Sequence, residues 1–180
     1  VAKGLIPLRR REQIGLTALM DAARLHGQQA AFHLGFLLGP RINAGGRLGR
    51  ADLGVRLMLE DDTIEAGRIA AELDRLNGER RLIEVAAVAQ AEGEAMAALG
   101  IEEKGAVVVT AQEGWHPGVV GLVAARLKER FGRPAFAIAL EPGGTGTGSG
   151  RSIAGVDLGR VVRQAVQDGL LIKGGGHAMA

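Results

Sequence analysis

The chain has 180 residues, of which 47% are hydrophobic, so it can form one domain or a small domain with an appended segment. It contains no cysteine, which excludes disulfides and thiolate metal sites. Its apolar runs are far shorter than the roughly 20 residues of a membrane-spanning helix, and its first residues lack the pattern of a signal peptide. We therefore expect a cytoplasmic protein without membrane contacts.

The net charge of +2 hides an uneven distribution of charge along the chain. Residues 1–50 hold eight Lys and Arg against two acids, residues 51–104 hold six against thirteen, and residues 105–180 hold eight against five. Basic segments are typical of proteins that bind phosphates, although solvated surface charge gives the same pattern. Aromatic residues make up only 3%, which argues against an extended base-stacking surface.

The first sixty residues are predicted to be helical, with one long loop. The spacing of apolar residues predicts a helix over residues 12–25. A Gly- and Pro-rich segment predicts a loop over residues 35–49, and a short helix is predicted to follow it over residues 51–59.

A long helix is predicted from Asp62 to about Leu99. Glu65, three residues after Asp62, completes the pattern of a capping box, and the segment is rich in strong helix formers. Gly78 and Gly93 weaken this helix and indicate a kink or a break. Because its apolar positions do not sustain heptads, we expect a connector between domains rather than a coiled coil.

Residues 101–180 have the pattern of an α/β domain. Apolar and β-branched runs predict strands over 106–110 and 135–140, and helical spacing predicts a helix over 119–131. Strand, helix and strand with short connections form a βαβ unit, so these strands are expected to be parallel. A Gly-rich stretch follows at residues 143–150. A short strand is predicted over 151–153, and a helix capped by Asp157 is predicted over 157–168.

One glycine-rich segment carries side chains that are suited to binding phosphate. Ser149, Gly150, Arg151 and Ser152 offer backbone N–H groups, two hydroxyls and a guanidinium, which can form a bidentate bond with a phosphate. The spacing of the glycines fits neither a Walker A loop nor a dinucleotide-binding loop. A flexible hairpin loop is the alternative interpretation.

A second glycine-rich segment leads to a histidine. Gly174, Gly175 and Gly176 let the backbone approach whatever His177 contacts, and a histidine can donate to a phosphate or act as an acid or base. A flexible terminal tail has the same composition. No other His, Asp or Glu lies nearby in the sequence, so no metal site is predicted here.

The predicted loop at residues 39–50 is rich in arginine. Arg41 and Arg47 can contact phosphates there, and Asn43 can offer an amide to a nucleic-acid backbone. The alternative is a loop that joins two helices and carries solvated arginines.

Trp115 and His116 follow the first predicted strand of the α/β domain. They lie at the carboxyl end of that strand, where the binding sites of α/β proteins cluster. Trp115 is suited to packing against a base or a sugar, but a lone Trp more often belongs to the core.

The sequence contains no recognisable catalytic centre. It has no H-E-x-x-H motif, no DHH triplet and no cluster of carboxylates with His that would hold two metal ions. The serine-nucleophile motif G-x-S-x-G is also absent. The residues alone therefore predict phosphate binding, without a metal site and without a catalytic centre.

Taken together, these residues resemble the RecJ family of 5′→3′ single-strand DNA exonucleases, in the DHH phosphoesterase superfamily. Four stretches carry the resemblance in the same order, at residues 39–47, 113–121, 149–152 and 174–180. The similarity covers essentially the whole chain. It departs from the family pattern at Gly45, where alanine is usual.

The resemblance implies two domains joined by a long helix. The chain would comprise the helical end of a DHH-type domain over residues 1–60, a connecting helix over 61–100, and most of a small α/β DHH-associated domain over 101–180. That domain would have a mixed sheet containing a parallel βαβ unit. The DHH motifs would lie outside the chain, so a fragment of a longer protein is expected.

The resemblance also implies roles for the candidate residues. Arg151 with Ser149 and Ser152 would hold a phosphate at the 5′ end of single-stranded DNA. His177 would face the scissile phosphate and stabilise the charge that develops there.

The resemblance also implies a role for the arginines of residues 39–47 and a need for metal ions. Arg41 and Arg47 would touch phosphate or brace the cleft between domains. Hydrolysis would depend on two Mg²⁺ or Mn²⁺ ions held by the domain outside the chain, so no cofactor is expected on this chain and the chain alone would be inactive. The alternatives are another DHH-family phosphoesterase, acting on oligonucleotides or cyclic dinucleotides, and a non-catalytic nucleic-acid-binding module.

Overall fold

The computed structural model describes residues 2–100 and 105–180, which pack as two compact units, Val1–Leu82 and Ile83–Ala180. We call them unit 1 and unit 2, and each has its own hydrophobic core. The start of the predicted α/β domain, residues 101–104, lies outside the described residues. None of the helices in the described ranges is long and apolar enough to cross a membrane.

In the described residues of unit 1, all regular secondary structure is helical. The helices are α1 (Ala2–Arg9), α2 (Ile14–Ala22), α3 (Ala31–His33), α4 (Gly39–Leu48), α5 (Leu53–Leu59) and the first part of α6 (Thr63–Leu99), with a π-helical turn at Leu34–Leu38. Its core contains five fully buried large side chains, which are Leu19, Met20, Leu38, Leu57 and Leu73. The helices predicted over residues 12–25 and 51–59 are confirmed, with later starts.

The segment predicted as a loop over residues 35–49 is instead helical, almost to its end. Pro40 falls in the first turn of α4, directly after the π-helical turn. A Cβ at Gly45 would lie 3.0 Å from the Arg50 carbonyl oxygen and 3.1 Å from Leu73 Cδ2. The loop prediction is wrong because this glycine allows close packing and does not form a turn.

Helix α6 begins where the sequence predicts and runs for 37 residues. Asp62 Oδ1 accepts hydrogen bonds from the backbone N–H groups of Ile64 and Glu65, both at 2.8 Å, and so caps the first turn. The helix continues through the exposed Gly78 and Gly93, so of the predicted kink or break, the break does not occur. Strong helix formers on both sides outweigh a cost of about 1 kcal/mol for each glycine.

Unit 2 contains a mixed three-stranded sheet in the order β1-β2-β3. Its elements are the second part of α6, β1 (Val108–Glu113), α7 (Val120–Phe131), β2 (Ala135–Leu140), β3 (Gly146–Arg151) and α8 (Leu158–Gln167). Strands β1 and β2 are parallel and are connected through α7, whereas β3 is antiparallel to β2. The predicted α/β fold with a parallel βαβ unit is therefore confirmed.

Helix α7 packs on the sheet face that carries the small residues of β2. Ala135, Ala137 and Ala139 are buried on that face and allow the helix to approach closely. Val123 and Leu127 of α7 join them in the core of unit 2. Because Arg151 and Ser149 of β3 pair with Ala135 and Ala137, the two polar side chains lie on the same face as α7.

Strand β3 covers most of the Gly-rich stretch at residues 143–150, and it contains only the first residue of the short strand predicted over 151–153. Its backbone pairs with β2 along its whole length. A Cβ at Gly150 would lie 2.6 Å from Phe136 Cε1, so a large side chain of β2 already fills the space above this strand. Cross-strand packing here outweighs the poor strand propensity of glycine, so the alternative of a flexible hairpin loop does not hold for residues 148–151.

Helix α8 begins directly after Asp157, as the sequence predicts. The Oδ1 atom of Asp157 accepts a hydrogen bond from the Arg160 backbone N–H at 2.9 Å. This bond satisfies one of the free N–H groups of the first turn.

Candidate anion-binding site

Arg151 and Ser149 form a fixed pair of polar side chains at the end of β3. They point to the same face because they are two residues apart in a strand. Arg151 Nη1 donates to Ser149 Oγ at 2.9 Å and to the Gly150 carbonyl oxygen at 2.7 Å. Both side chains belong to half-buried residues, so the guanidinium is held in place on the protein surface.

The first turn of α7 lies against this pair. A Cβ at Gly121 would lie 2.9 Å from Arg151 Nη2 and 3.2 Å from Ser149 Oγ. Val119, at the N-cap, makes no side-chain hydrogen bond to the helix, and the first turn contains no acidic residue. The N–H groups of a helix N-terminus carry partial positive charge, and the guanidinium adds a full charge beside them. This arrangement is suited to an anion.

A tight turn between β1 and α7 brings His116 to the surface. Gly114 has a φ of +81°, a backbone conformation that favours glycine. His116 Nδ1 accepts a hydrogen bond from the Gly118 N–H at 3.0 Å, and the His116 carbonyl oxygen accepts one from the Val119 N–H at 2.9 Å. Because Nδ1 is occupied, Nε2 is the ring nitrogen that His116 presents to a ligand.

The segment that contains His177 is attached to β3 and α8 by its backbone. The carbonyl groups of residues 177–179 accept hydrogen bonds from the N–H groups of Gly159 at 3.1 Å, Leu158 at 3.0 Å and Ser152 at 3.0 Å. Ser152 directly follows Arg151 in the chain. The histidine segment is therefore fastened next to the end of β3 that carries the guanidinium.

The side chain of His177 is exposed and has a defined orientation. Its Nδ1 accepts a hydrogen bond from the Met179 backbone N–H at 3.2 Å. The neutral ring therefore carries its proton on Nε2, which can donate to an oxyanion.

The three glycines before His177 have different surroundings. A Cβ at Gly174 would lie 2.8 Å from Val162 Cγ1, whereas nothing would lie within 4 Å of a Cβ at Gly175. Gly176 has a φ of +150°, and a Cβ there would collide with the Ala180 carbonyl oxygen. Gly174 and Gly176 are therefore required by packing and conformation, and Gly175 is not.

Two of the residues predicted to bind substrate are buried. Ser152 is 1% exposed, and its Oγ donates to the Val156 carbonyl oxygen at 2.7 Å. Trp115 is 7% exposed, lies in the core of unit 2 and donates its indole N–H to Gln90 Oε1 at 2.8 Å. Both side chains stabilise the fold and present no surface to a phosphate or a base, which corrects the two assignments.

Arg41, Asn43 and Arg47 lie on helix α4 of unit 1 and not in a loop. The Nε atom of Arg41 donates to Asp74 Oδ1 at 2.8 Å, and its Nη1 donates to the Leu37 carbonyl oxygen at 2.8 Å. Since the Arg41 side chain is only 13% exposed, it braces α4 against α6 within unit 1. Asn43 is exposed and Arg47 is partly buried.

Some residues of the site do not stand out in the sequence. Gly121 contacts Arg151 and Ser149, and Arg163 Nη1 donates to the Gly176 carbonyl oxygen at 2.9 Å. These contacts join a helix to a strand or a loop that is distant along the chain, so no local pattern indicates them. The one available signal is a glycine in the first turn of α7, where its conformational freedom is not needed.

Comparison with known protein families assigns the second half of the chain. Residues 103–180 match the DHHA1 domain. The sheet, the two helices and the histidine segment described above, all within these residues, therefore belong to a DHHA1 domain.

Comparison with individual proteins gives relatives along almost the whole chain. The chain is 42% identical over 178 residues to the single-stranded-DNA-specific exonuclease RecJ of Escherichia coli K12, covering 92% of this chain and 30% of that protein. The RecJ of Thermus thermophilus is 36% identical over 184 residues, covering 100% of this chain and 25% of that protein. The chain thus spans less than a third of the length of these relatives.

Solved structures agree with the sequence relatives. The crystal structure of Thermus thermophilus RecJ in complex with Mn²⁺ matches with a TM-score of 0.82 and 34% identity, over 98% of this chain and 25% of that chain. A structure of exonuclease RecJ bound to manganese matches with a TM-score of 0.78 and 34% identity, over 98% of this chain and 42% of that chain. In sequence and in fold, the chain therefore matches part of the RecJ family along nearly its whole length.

Proposed function

We propose that this chain is the strand-binding part of a single-strand DNA exonuclease, and that it holds the phosphate at the 5′ end of the strand. The observation that carries this proposal is the contact of the Arg151 guanidinium with the first turn of α7 at Gly121. A phosphate there would accept hydrogen bonds from the guanidinium, from Ser149 Oγ and from the N–H groups of the helix N-terminus. A neutral ligand would gain much less from the same groups.

We assign His177 to a second phosphate, the one at the scissile bond. Its Nε2–H can donate to a phosphate oxygen and stabilise the charge that develops there during hydrolysis. Attachment of the histidine segment to Ser152 fixes the position of His177 relative to Arg151. Two phosphates of one strand could then be held at a set separation, which supports cleavage at a defined distance from the 5′ end.

For the complete protein, we infer two-metal hydrolysis of phosphodiester bonds in the 5′→3′ direction, with Mg²⁺ or Mn²⁺. Structures of Thermus thermophilus RecJ in complex with either ion support this choice of metal. Among residues 2–100 and 105–180, no group of three or more His, Asp or Glu side chains could hold a metal ion. We therefore assign this chain to strand binding, and we expect no nucleotide release by the chain alone.

Fluorescence anisotropy with single-stranded oligonucleotides tests the proposed binding role. A 5′-phosphorylated strand is expected to bind more tightly than the same strand with a 5′-hydroxyl end. Arg151→Ala should remove this preference, with a loss on the order of tenfold or more, because hydrogen bonds to charged groups contribute about 1.5–3 kcal/mol. Arg160→Ala, an exposed arginine of α8, is the control for the same change of charge.

The outcomes of this measurement are distinct. Equal binding of both ends by the wild-type chain would refute the 5′-phosphate site. An equal loss in Arg151→Ala and Arg160→Ala would show that only the overall charge matters. Metal-dependent release of nucleotides by the pure chain would contradict the assignment to strand binding alone.

A further inference from the structure

One face of helix α8 forms a platform for the glycine segment that precedes His177. Gly159, Val162, Arg163 and Val166 are spaced by three and four residues, so they lie on the same face of the helix. A Cβ at Gly174 would lie 2.8 Å from Val162 Cγ1 and 3.3 Å from Val166 Cγ2. The segment therefore runs along this face from its middle to its N-terminal end.

The N-terminal end of the platform leaves no room for a side chain. A Cβ at Gly159 would lie 2.8 Å from the Gly176 carbonyl oxygen and 2.9 Å from the His177 carbonyl carbon. These are backbone atoms, which cannot move without moving the segment. The Gly159 N–H also donates to the His177 carbonyl oxygen at 3.1 Å. The missing side chain lets the segment approach the helix, and this hydrogen bond holds the segment there.

Arg163 holds the same segment from one helical turn further along. Its Nη1 donates to the Gly176 carbonyl oxygen at 2.9 Å, and the residue itself is exposed. A run of three glycines has unusually high conformational freedom, so its ordering needs contacts of this kind. A bond to the residue directly before His177 limits the positions that the imidazole can take.

We propose that Gly159 and Arg163 are positioning residues for His177, acting through the carbonyl groups of Gly176 and His177. Neither residue is assigned a contact with the DNA strand. We call the contacts of Gly159 and Arg163 with these two carbonyl groups the clamp. The inference rests on the proposed function only where it concerns DNA, since the clamp is a property of the protein without ligand. Loss of the clamp would leave His177 present but no longer held at a fixed place.

The clamp is tested by side-chain NMR of His177 in this chain without DNA. Arg163→Ala should shift the imidazole Cε1–Hε1 resonance, and it should speed hydrogen exchange of the Gly159 amide, which bonds to the same segment. Arg163→Lys, which keeps a charged hydrogen-bond donor at this position, should restore most of both signals. Arg160→Ala is the matched control, because it removes the same charge from the same helix.

Unchanged His177 resonances and Gly159 exchange in Arg163→Ala would overturn the clamp. Equal changes in Arg160→Ala and Arg163→Ala would also overturn it, since the effect would then come from charge alone. Gly159→Ala should give the same NMR changes more strongly, and a thermal unfolding curve shows whether this variant is folded. Because Arg163 is exposed, Arg163→Ala tests the clamp even if Gly159→Ala fails to fold.

Strand binding separates the clamp from the proposed function. Arg163→Ala and His177→Ala are both expected to weaken binding of single-stranded DNA by a similar factor, and Arg163→Lys should recover it. If Arg163→Ala changes the NMR signals while neither variant changes binding, the clamp stands and the proposed role of His177 fails. If only His177→Ala weakens binding and the NMR signals of Arg163→Ala are unchanged, the reverse holds.

Discussion

The Arg151 guanidinium occupies the space that a side chain at Gly121 would need, with Nη2 2.9 Å from the position of a Cβ. The contact joins the end of β3 to the first turn of α7. A glycine inside a helix costs about 1 kcal/mol relative to alanine. A glycine at this position leaves room for the arginine beside the helix N-terminus.

Gly121→Ala is expected to lower the affinity for a 5′-phosphorylated strand by about tenfold, because the new methyl group displaces the guanidinium. The double variant Gly121→Ala/Arg151→Ala should bind no more weakly than Arg151→Ala alone, since residues in contact have non-additive effects. Anisotropy titrations of the four proteins measure this coupling. The idea fails if Gly121→Ala binds like the wild type while its melting temperature is unchanged.

The two serines that flank the arginine should behave in opposite ways. Ser149→Ala removes a hydroxyl beside the guanidinium, so affinity for the phosphorylated strand should fall several-fold with little change in stability. Ser152→Ala removes a buried donor to the Val156 carbonyl oxygen, which should lower the free energy of unfolding by about 1 kcal/mol without changing affinity. Urea unfolding and anisotropy on both variants distinguish the roles. A loss of affinity confined to Ser152→Ala would contradict the placement.

Gly78→Ala and Gly93→Ala should each raise the free energy of unfolding by about 0.5–1 kcal/mol. Both glycines are exposed inside the continuous helix α6, and nothing would lie within 4 Å of a Cβ at either. Gly45→Ala is the contrasting variant and should destabilise, because its Cβ would crowd the Arg50 carbonyl oxygen. Chemical denaturation of the three variants checks this, and destabilisation by Gly78→Ala would argue for a break in the helix.

Glu72 should titrate below its ordinary pKa of 4.5, because a hydrogen bond from Arg75 stabilises the carboxylate. A depressed pKa in the folded state contributes stability above the unfolded pKa, and this contribution is lost as the pH falls through the folded pKa. NMR titration of the Glu72 side chain measures the pKa, which should return towards 4.5 in Arg75→Gln. Arg81→Gln, on the same helix, is the control, and an equal change there would exclude the specific bond.

The fold could be predicted from the sequence where a local pattern decides the structure. The apolar runs of β1 and β2, the helical spacing between them and the caps at Asp62 and Asp157 all indicate their elements correctly. Strand β3 and helix α4 could not be found in this way. Gly150 of β3 lies under Phe136, and Gly45 of α4 lies against Leu73. Such contacts exist only after the chain has folded.

In the candidate site, too, local sequence indicates some residues and not those that act through contacts between elements. Arg151, Ser149 and His177 are polar residues in glycine-rich segments, so residue type and spacing predict them as candidates. Gly121 and Arg163 act through contacts across elements, which no spacing reports. Trp115 is predicted to contact a base or a sugar but is buried. A sequence does not show whether a ring faces the core or the solvent.

Trp115 is the single tryptophan of a chain without tyrosine, and it is buried in unit 2 with its indole N–H bonded to Gln90. The intrinsic tryptophan fluorescence of this protein therefore comes from one known place. Its emission should shift to longer wavelength when unit 2 unfolds and the indole meets water. A change in unit 1 that leaves this environment intact would not alter the fluorescence, whereas circular dichroism would follow the helices of both units. Comparing the two signals during denaturation would show whether the units unfold together or separately, without any label.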